Sequence, residues 1–142
     1  MRVLSLFDGI ACGRVALERA GIPVDLYLAS EVDKLAIQIT RSNYSDIVQL
    51  GNAHTLDGTQ LTPVDLLMGG SPCQGFSIAG QGRAFDDERS ALVFDFIRIL
   101  DECKPAYWLL ENVLMKQEHI DFISFLLGQT PLLIDSAVFS AQ

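Results

Sequence analysis

Short apolar runs alternate with helix-like patterns along the chain, and this alternation constrains the fold more than any other feature. The runs are apolar at consecutive positions, as strands buried on both faces are, and most gaps carry the spacing of an amphipathic helix. Predicted strands cover residues 3–7, 24–31, 47–51, 64–69, 107–113 and 132–139, and predicted helices cover 12–20, 33–43, 89–103 and 116–127. This order predicts an α/β protein whose single parallel, doubly wound sheet is covered on both sides.

Composition and charge exclude several classes of protein. A chain of 142 residues, 49% of them apolar, suits one domain with its own core and excludes disorder. A net charge of −8 excludes a basic nucleic-acid-binding module of the usual kind. Asp8 interrupts the first apolar run too early for a signal peptide, and no run approaches the ~20 residues of a membrane helix.

The three cysteines predict a reduced, cytosolic chain. Cys12, Cys73 and Cys103 are odd in number and far apart, and no C-x-x-C pair indicates zinc. His54 and His119 have no neighbour at metal spacing, so we interpret both as structural.

Small and polar residues follow the predicted strands at their carboxyl ends, where ligands bind in open parallel sheets. The first turn has Gly9 and Gly13 beside a helix N-terminus, whose N–H groups suit an anion. Glu31, about twenty residues on, is placed to accept two ribose hydroxyls. These features predict a nucleoside-containing cofactor, although the spacing is not G-x-G-x-x-G. The alternative is a helix-capping turn beside a solvated acid.

Two residues are candidates for catalysis. Cys73 follows a buried strand in a Gly-rich loop over residues 70–88, where a cysteine is as consistent with a nucleophile as with a structural role. Cys103, within a helix, has the pattern of a structural cysteine. Glu111 ends the fifth strand beside Asn112, where a carboxylate can hold or accept a proton. The alternative for Glu111 is a solvated acid at a strand end.

The motifs FDGIACG, SE, GGSPCQGFS, ERSALVF and ENV occur in that order. In this order they resemble the cytosine-5 DNA methyltransferases, over about residue 3 to residue 142. FDGIA, ASEV, GGSPC and ENV are similar to the animal de novo branch, and CQGFS to bacterial and phage enzymes. The resemblance implies the Rossmann-like doubly wound sheet of S-adenosylmethionine-dependent methyltransferases, with residues 1–142 as one cofactor-binding and catalytic domain.

The resemblance also implies a cofactor pocket for S-adenosylmethionine. Glu31 is expected to take the ribose hydroxyls and Val32 to pack on the adenine, with residues 52 and 53 at its edge. The full set of implied cofactor-binding residues is Phe7, Asp8, Gly9, Ile10, Cys12, Glu31, Val32, Asn52, Ala53, Pro72 and Leu92.

The implied mechanism is methyl transfer to C5 of a cytosine flipped out of double-stranded DNA. Cys73 attacks C6, which makes C5 nucleophilic, and Glu111 holds the base at N3 and the exocyclic amine. The loop over residues 74–87 folds over the DNA. The implied DNA-binding residues are Ser71, Gln74 and Ser77.

The sequence departs from the family in two ways. Asn52 stands where the family usually has Asp, and a neutral amide predicts weaker cofactor binding. The family's catalytic Arg, target recognition domain, last strand and final helix would follow residue 142. We therefore expect a sheet truncated before its last strand, with residues 132–139 as an unprotected edge or packed out of position.

These departures predict a truncated piece or one subunit of a split enzyme, inactive or nearly so alone. Its expected partner is a complementary C-terminal polypeptide, or a second copy joined through the exposed sheet edge. The expected setting is restriction-modification in the cytoplasm of a bacterial or phage-infected cell. The alternatives are a non-catalytic relative that binds cofactor or a methyltransferase, and a tRNA cytosine-5 methyltransferase. A nicotinamide oxidoreductase would leave Cys73 unexplained.

Overall fold

Five parallel strands form one sheet in the structure, a computed structural model that describes residues 1–71 and 91–139. The strands are β1 Arg2–Leu6, β2 Leu26–Ser30, β3 Val48–Gln49, β4 Leu66–Gly70 and β5 Tyr107–Glu111. They lie in the order β3-β2-β1-β4-β5, and every pair is parallel. The chain therefore reverses its direction of travel across the sheet between β1 and β4, which is where such sheets bind ligands.

In the described part of the chain, four α-helices connect or flank these strands. They are α1 Cys12–Arg19, α2 Lys34–Asn43, α3 Ala91–Cys103 and α4 Gln117–Leu127. The side chain of Asp33 caps α2 by accepting from the Leu35 N–H at 2.7 Å, so this helix begins where the sequence predicts. The predicted start of α3 at residue 89 lies outside the described residues. None of the helices described is long and apolar enough to cross a membrane.

The core lies on both faces of the sheet because side chains alternate along each strand. On one face, Leu4 and Leu6 pack with Phe96 and Ile99 of α3. On the other face, Val3 belongs to the cluster that includes Leu17 of α1. Helices on opposite faces confirm the predicted Rossmann-like, doubly wound α/β class.

Within residues 1–71 and 91–139, no element covers the second face of β5, which corrects the sequence prediction of a sheet covered on both sides. Trp108 and Leu110 pack against the core that contains α3. On the opposite face Tyr107 is 66% exposed and Leu109 is 55% exposed. The apolar run over residues 107–110 is therefore buried on one face only, because hydrophobicity alone does not supply a covering element.

The predicted strand over residues 132–139 is wrong. This segment forms no strand and contains a short 3-10 helix, Ser136–Val138, whose first turn is capped by Asp135. Leu132 is 88% exposed and Phe139 is 80% exposed. An apolar run favours extended structure only when a neighbouring strand offers hydrogen bonds, and this run has no pairing with β5.

Candidate functional site

Apart from Leu92 in α3, the predicted site residues that the structure describes lie at or just after the carboxyl ends of adjacent strands. The ends align because Leu6 of β1 pairs with Ser30 of β2 and with Gly69 of β4, while Gly70 pairs with Glu111 of β5. The structure thus places the turns after β1, β2, β4 and β5 along one edge of the sheet. Four predicted residues lie outside the described part of the chain: Pro72, Cys73, Gln74 and Ser77.

The turn after β1 is built from left-handed backbone. Phe7, Gly9 and Ala11 all have positive φ angles, of 56°, 60° and 66°. Together with a hydrogen bond from the Ala11 N–H to the Asp8 carbonyl, these angles turn the chain from β1 into α1. A Cβ at Gly9 would meet no atom within 4 Å, so open space lies beside this backbone. A ligand can therefore approach the chain closely at Gly9.

Gly13 has a different role from the one its position suggested. A Cβ at Gly13 would lie 2.8 Å from the Met68 side chain and 2.9 Å from the Tyr27 hydroxyl. Its small size therefore lets α1 pack closely on the sheet and does not open the backbone to a ligand. Cys12, the first residue of α1, is exposed, and the helix begins without a side-chain cap.

Glu31 links the turn after β1 to the start of α2. Its Oε2 accepts from the Gly9 N–H at 2.7 Å, and its Oε1 accepts from the N–H groups of Val32 and Asp33 at 2.7 and 2.8 Å. The residue is partly buried, unlike a freely solvated acid. Each carboxylate oxygen accepts about two hydrogen bonds, so Oε2 keeps one further acceptor site.

Asp8 is a buried carboxylate with one oxygen unsatisfied. Its Oδ1 accepts from the Tyr27 hydroxyl at 2.8 Å, whereas its buried Oδ2 has no hydrogen-bond partner. Burial raises the pKa of the Asp8 carboxyl above its ordinary value, and the Glu31 charge adds to this, against hydrogen bonds from Ser5 and Tyr27. Burial, followed by the Asp8 charge, also raises the pKa of Tyr27. The site therefore holds a costly negative charge that a cation could compensate.

Apolar side chains next to these two acids are exposed to solvent. Val32 is 66% exposed and Ile10 is 48% exposed, although both follow buried strands closely. Leu92 is partly buried in the first described turn of α3. Exposed apolar groups beside a carboxylate are suited to a ligand that has both a flat apolar part and hydroxyl groups.

Asn52 begins the turn that follows β3. Its Oδ1 accepts from the His54 N–H at 3.0 Å and caps a short 3-10 helix, Ala53–Thr55, in which Ala53 is buried. Ser30 Oγ donates to the Gly51 carbonyl at 2.7 Å, which joins this turn to the end of β2. One of the two acceptor positions of the Asn52 amide oxygen is thus already occupied.

Glu111 and Ser71 lie at the other side of the switch point. A Cβ at Gly70 would lie 3.0 Å from Glu111 Oε2, so the glycine leaves room for this exposed carboxylate. Ser71 is 5% exposed, and its Oγ accepts from Asn112 Nδ2 at 2.9 Å. This bond joins the ends of β4 and β5 just before residue 72. The role of Ser71 in DNA binding stays a prediction.

The residues interpreted as structural have ordinary contacts. Cys103 is buried, and its Sγ donates to the Gly58 carbonyl at 3.2 Å, which confirms its structural role. The His54 ring lies 3.2 Å from Asp95 Oδ1, and His119 is buried in α4. Within residues 1–71 and 91–139, no three His, Cys, Asp or Glu side chains are grouped as a metal site requires.

Sequence reasoning missed two residues that shape the site. Tyr27 lies among the apolar residues of β2 and was not singled out from the sequence. A buried tyrosine hydroxyl needs a partner, and in the structure this partner is Asp8. Arg98 is in the middle of α3, where its guanidinium donates to the Ala53 carbonyl at 2.9 Å. Its signal in the sequence is the pair of acids, Asp95 and Glu102, three residues before it and four after it.

Comparisons with known proteins agree with this arrangement. Residues 1–121 match the family model described as C-5 cytosine-specific DNA methylase. The chain is 41% identical over 115 residues to the orphan methyltransferase M.Rho11sI of Bacillus phage rho11s. It is 37% identical over 118 residues to the Type II methyltransferase M.NlaX of Neisseria lactamica. These alignments cover 80% and 83% of this chain but only 23% and 38% of the two relatives.

Solved structures show the same likeness. A DNA modification methyltransferase encoded within an E. coli prophage superposes with a TM-score of 0.72 at 28% identity, over 90% of this chain and 38% of that one. A mutant of DNMT2 from Spodoptera frugiperda superposes with a TM-score of 0.71 over 91% of this chain and 41% of that one. Its identity is 23%, so it shows a likeness of fold alone. The chain spans less than half the length of each of these proteins.

Proposed function

This chain belongs to the C-5 cytosine-specific DNA methylase family, and from that premise we propose that it forms the cofactor-binding and catalytic part of a DNA cytosine-5 methyltransferase. The observation that carries the proposal is the 2.7 Å hydrogen bond between the Gly9 N–H and Glu31 Oε2. This bond joins the two turns assigned to the cofactor, at the edge of the sheet where such folds bind nucleotides.

The residues of this edge fit S-adenosylmethionine, which when bound supplies an electrophilic methyl group on a sulfonium. The uncapped start of α1 offers N–H groups to its carboxylate, and Glu31 Oε2 has an acceptor position for a ribose hydroxyl. The unsatisfied Oδ2 of Asp8 suits the positive charge of the amino acid part. Val32 and Ile10 offer apolar surface, with Asn52 and Ala53 beyond it for the edge of the adenine.

The proposed chemistry uses Cys73 and Glu111 on a flipped cytosine. The Cys73 thiolate forms a bond to C6, while a proton at N3 from Glu111 keeps negative charge from building on the ring. C5 would then accept the methyl group from the sulfonium, which is left as a neutral thioether. Loss of the C5 proton to a base restores the ring double bond and expels the Cys73 thiolate, and the N3 proton returns to Glu111. The exposed carboxylate of Glu111 beside Gly70, directly across from the strand that leads to Cys73, supports this pairing.

The DNA contacts are proposed to come largely from a second polypeptide. Ten basic residues against eighteen acidic ones leave this chain too negative to bind a duplex tightly by itself. A complementary C-terminal polypeptide, or a second copy of the chain, would then supply the binding surface. We place the enzyme in the cytoplasm of a bacterial or phage-infected cell, because its named relatives come from bacteria and phages.

A covalent trap tests the proposed chemistry. Duplex DNA containing 5-fluorocytosine is incubated with S-adenosylmethionine, the chain, and a polypeptide that supplies the remaining part of a relative such as M.NlaX. Fluorine cannot leave C5 as a proton does, so the adduct persists, and peptide mapping should locate it on Cys73. Cys73→Ser should form none. An adduct that persists in Cys73→Ser, or one on Cys12 or Cys103, contradicts the mechanism.

A further inference from the structure

One arginine side chain fastens the segment over residues 53–58 to α3. Nη1 of Arg98 donates to the Leu56 carbonyl at 2.8 Å, and Nη2 donates to the Ala53 carbonyl at 2.9 Å. A longer contact of 3.4 Å reaches the His54 carbonyl. These carbonyls belong to a segment that contains no strand and has only short 3-10 turns to satisfy them. The fork of the guanidinium therefore replaces the backbone pairing that a regular element would provide.

Acidic residues on the same face of α3 hold Arg98 in place. Glu102 Oε1 lies 3.0 Å from Nη1, and buried Asp95 lies 3.4 Å from Nη2. Burial works against the charge of Arg98, but Glu102 and Asp95 outweigh it and raise the pKa of the guanidinium. Glu102 also accepts from the Gly58 N–H at 2.8 Å, which fixes the far end of the segment. The segment is thus attached to α3 at both ends.

The attached segment begins directly after Asn52. The Asn52 side chain caps the turn that Arg98 holds, so a shift of this turn moves Asn52 and Ala53 together. The first turn of α3 carries Leu92, which is assigned to the same pocket, and residues 72–90 precede it in the chain. Among the described residues, the hydrogen bonds of Arg98 go to the carbonyls of this segment and to Asp95 and Glu102.

We infer that Arg98 is a positioning residue, which sets the adenine side of the cofactor site by holding the Asn52–Ala53 turn against α3. The cofactor part of this inference rests on the proposed function, whereas the attachment of the segment does not. The ion pair between Arg98 and Glu102, four residues apart on the helix and partly open to solvent, contributes little by itself. The effect of Arg98 therefore comes from its bonds to the carbonyls, which a lysine cannot reproduce with a single ammonium group.

The test compares Arg98→Met and Arg98→Lys in the 142-residue chain with Arg41→Met, which removes an exposed arginine from the last turn of α2. Amide hydrogen exchange should accelerate over residues 53–58 in both Arg98 variants and stay unchanged over residues 7–13. The affinity for S-adenosylmethionine, measured by calorimetry, should fall about tenfold in both. Arg41→Met should leave both quantities unchanged.

A double-mutant cycle separates positioning from a general loss of stability. If Arg98 acts through the turn, the losses of affinity from Arg98→Met and Asn52→Ala should be clearly less than additive. Additive losses, or normal exchange over residues 53–58 in both Arg98 variants, would overturn the inference. If the unaltered chain binds no S-adenosylmethionine, the proposed function fails together with the cofactor role of Arg98, and exchange alone then reports on the attachment.

Discussion

Asp8 is buried at the start of the proposed cofactor site, and its ionisation affects stability as well as binding. Burial raises the pKa of its carboxyl above the ordinary value of 3.8. The folded protein therefore holds a proton on Asp8 more tightly than the unfolded chain does. The stability this group contributes is fully present below the unfolded pKa and is lost as pH rises through the folded pKa. Above the folded pKa, the ionised carboxylate lowers the free energy of unfolding.

Replacing Asp8 with Asn should remove this pH dependence. The free energy of unfolding of Asp8→Asn, relative to the unaltered chain, should be most favourable above the folded pKa of Asp8 and should decline as pH falls through it toward 3.8. Urea denaturation at several pH values measures the difference. A difference that increases on acidification would show that the folded pKa is lowered, contrary to the burial of Asp8.

Asn52→Asp should strengthen cofactor binding. One carboxylate oxygen would keep the cap on the His54 N–H, and the other would accept from the adenine amino group with a full charge. We expect about a fivefold gain in affinity for S-adenosylmethionine, the size of one improved hydrogen bond. Gln38→Glu, on the exposed side of α2, adds the same charge and is the matched control. Equal affinities in Asn52→Asp and the unaltered chain would contradict this role.

Sequence reasoning at this scale succeeded where a residue stands next to a recognisable strand end. Glu31 and Glu111 both lie where the sequence places them. Tyr27 and Arg98 were missed because their importance depends on partners 19 residues and more than 40 residues away in the chain. Such partners become neighbours only once the strand order is known.

The strands show how much of an element the sequence can specify. Apolar runs located all five strands, but β3 is two residues long where five were predicted. The order of the strands was not predicted, because it depends on which crossovers the helices allow. The exposure of one face of β5 was also not predicted, because the identity of an apolar residue does not show whether another element covers it.

Buried and exposed apolar positions of the sheet should differ sharply in their sensitivity to truncation. Leu67→Ala removes a side chain with 0% exposure and should lower the free energy of unfolding by about 2–5 kcal/mol. Leu109→Ala, on the exposed face of β5, should lower it by less than about 1 kcal/mol. Urea unfolding of both variants checks this. Equal losses would mean that another part of the chain covers Leu109.

Residues 132–139 should contribute little to stability. Ile134 is 70% exposed and pairs with no strand in the described sheet, so Ile134→Ser should change the free energy of unfolding by less than about 0.5 kcal/mol. Thermal unfolding can detect a larger effect. A decrease in the free energy of unfolding of more than about 1 kcal/mol would support the strand predicted for residues 132–139.

At the scale of the whole molecule, the fold class and the position of the site were predictable from the sequence. The parallel sheet follows from the βα alternation, and the site follows from the strand ends at its switch point. Under the proposed function, the net charge of −8 assigns most of the DNA contacts to residues outside this chain. A cofactor site that forms within these residues is the central requirement of the proposal.

Calorimetric titration of the 142-residue chain with S-adenosylmethionine tests that requirement most directly. Glu31→Ala removes the proposed ribose acceptor, and Glu118→Ala, which removes an exposed acid from α4, is the matched control. We predict saturable 1:1 binding that Glu31→Ala abolishes and Glu118→Ala preserves. A folded chain that binds no S-adenosylmethionine, or one that binds it equally well after Glu31→Ala, would contradict the assignment of this edge of the sheet as the cofactor site.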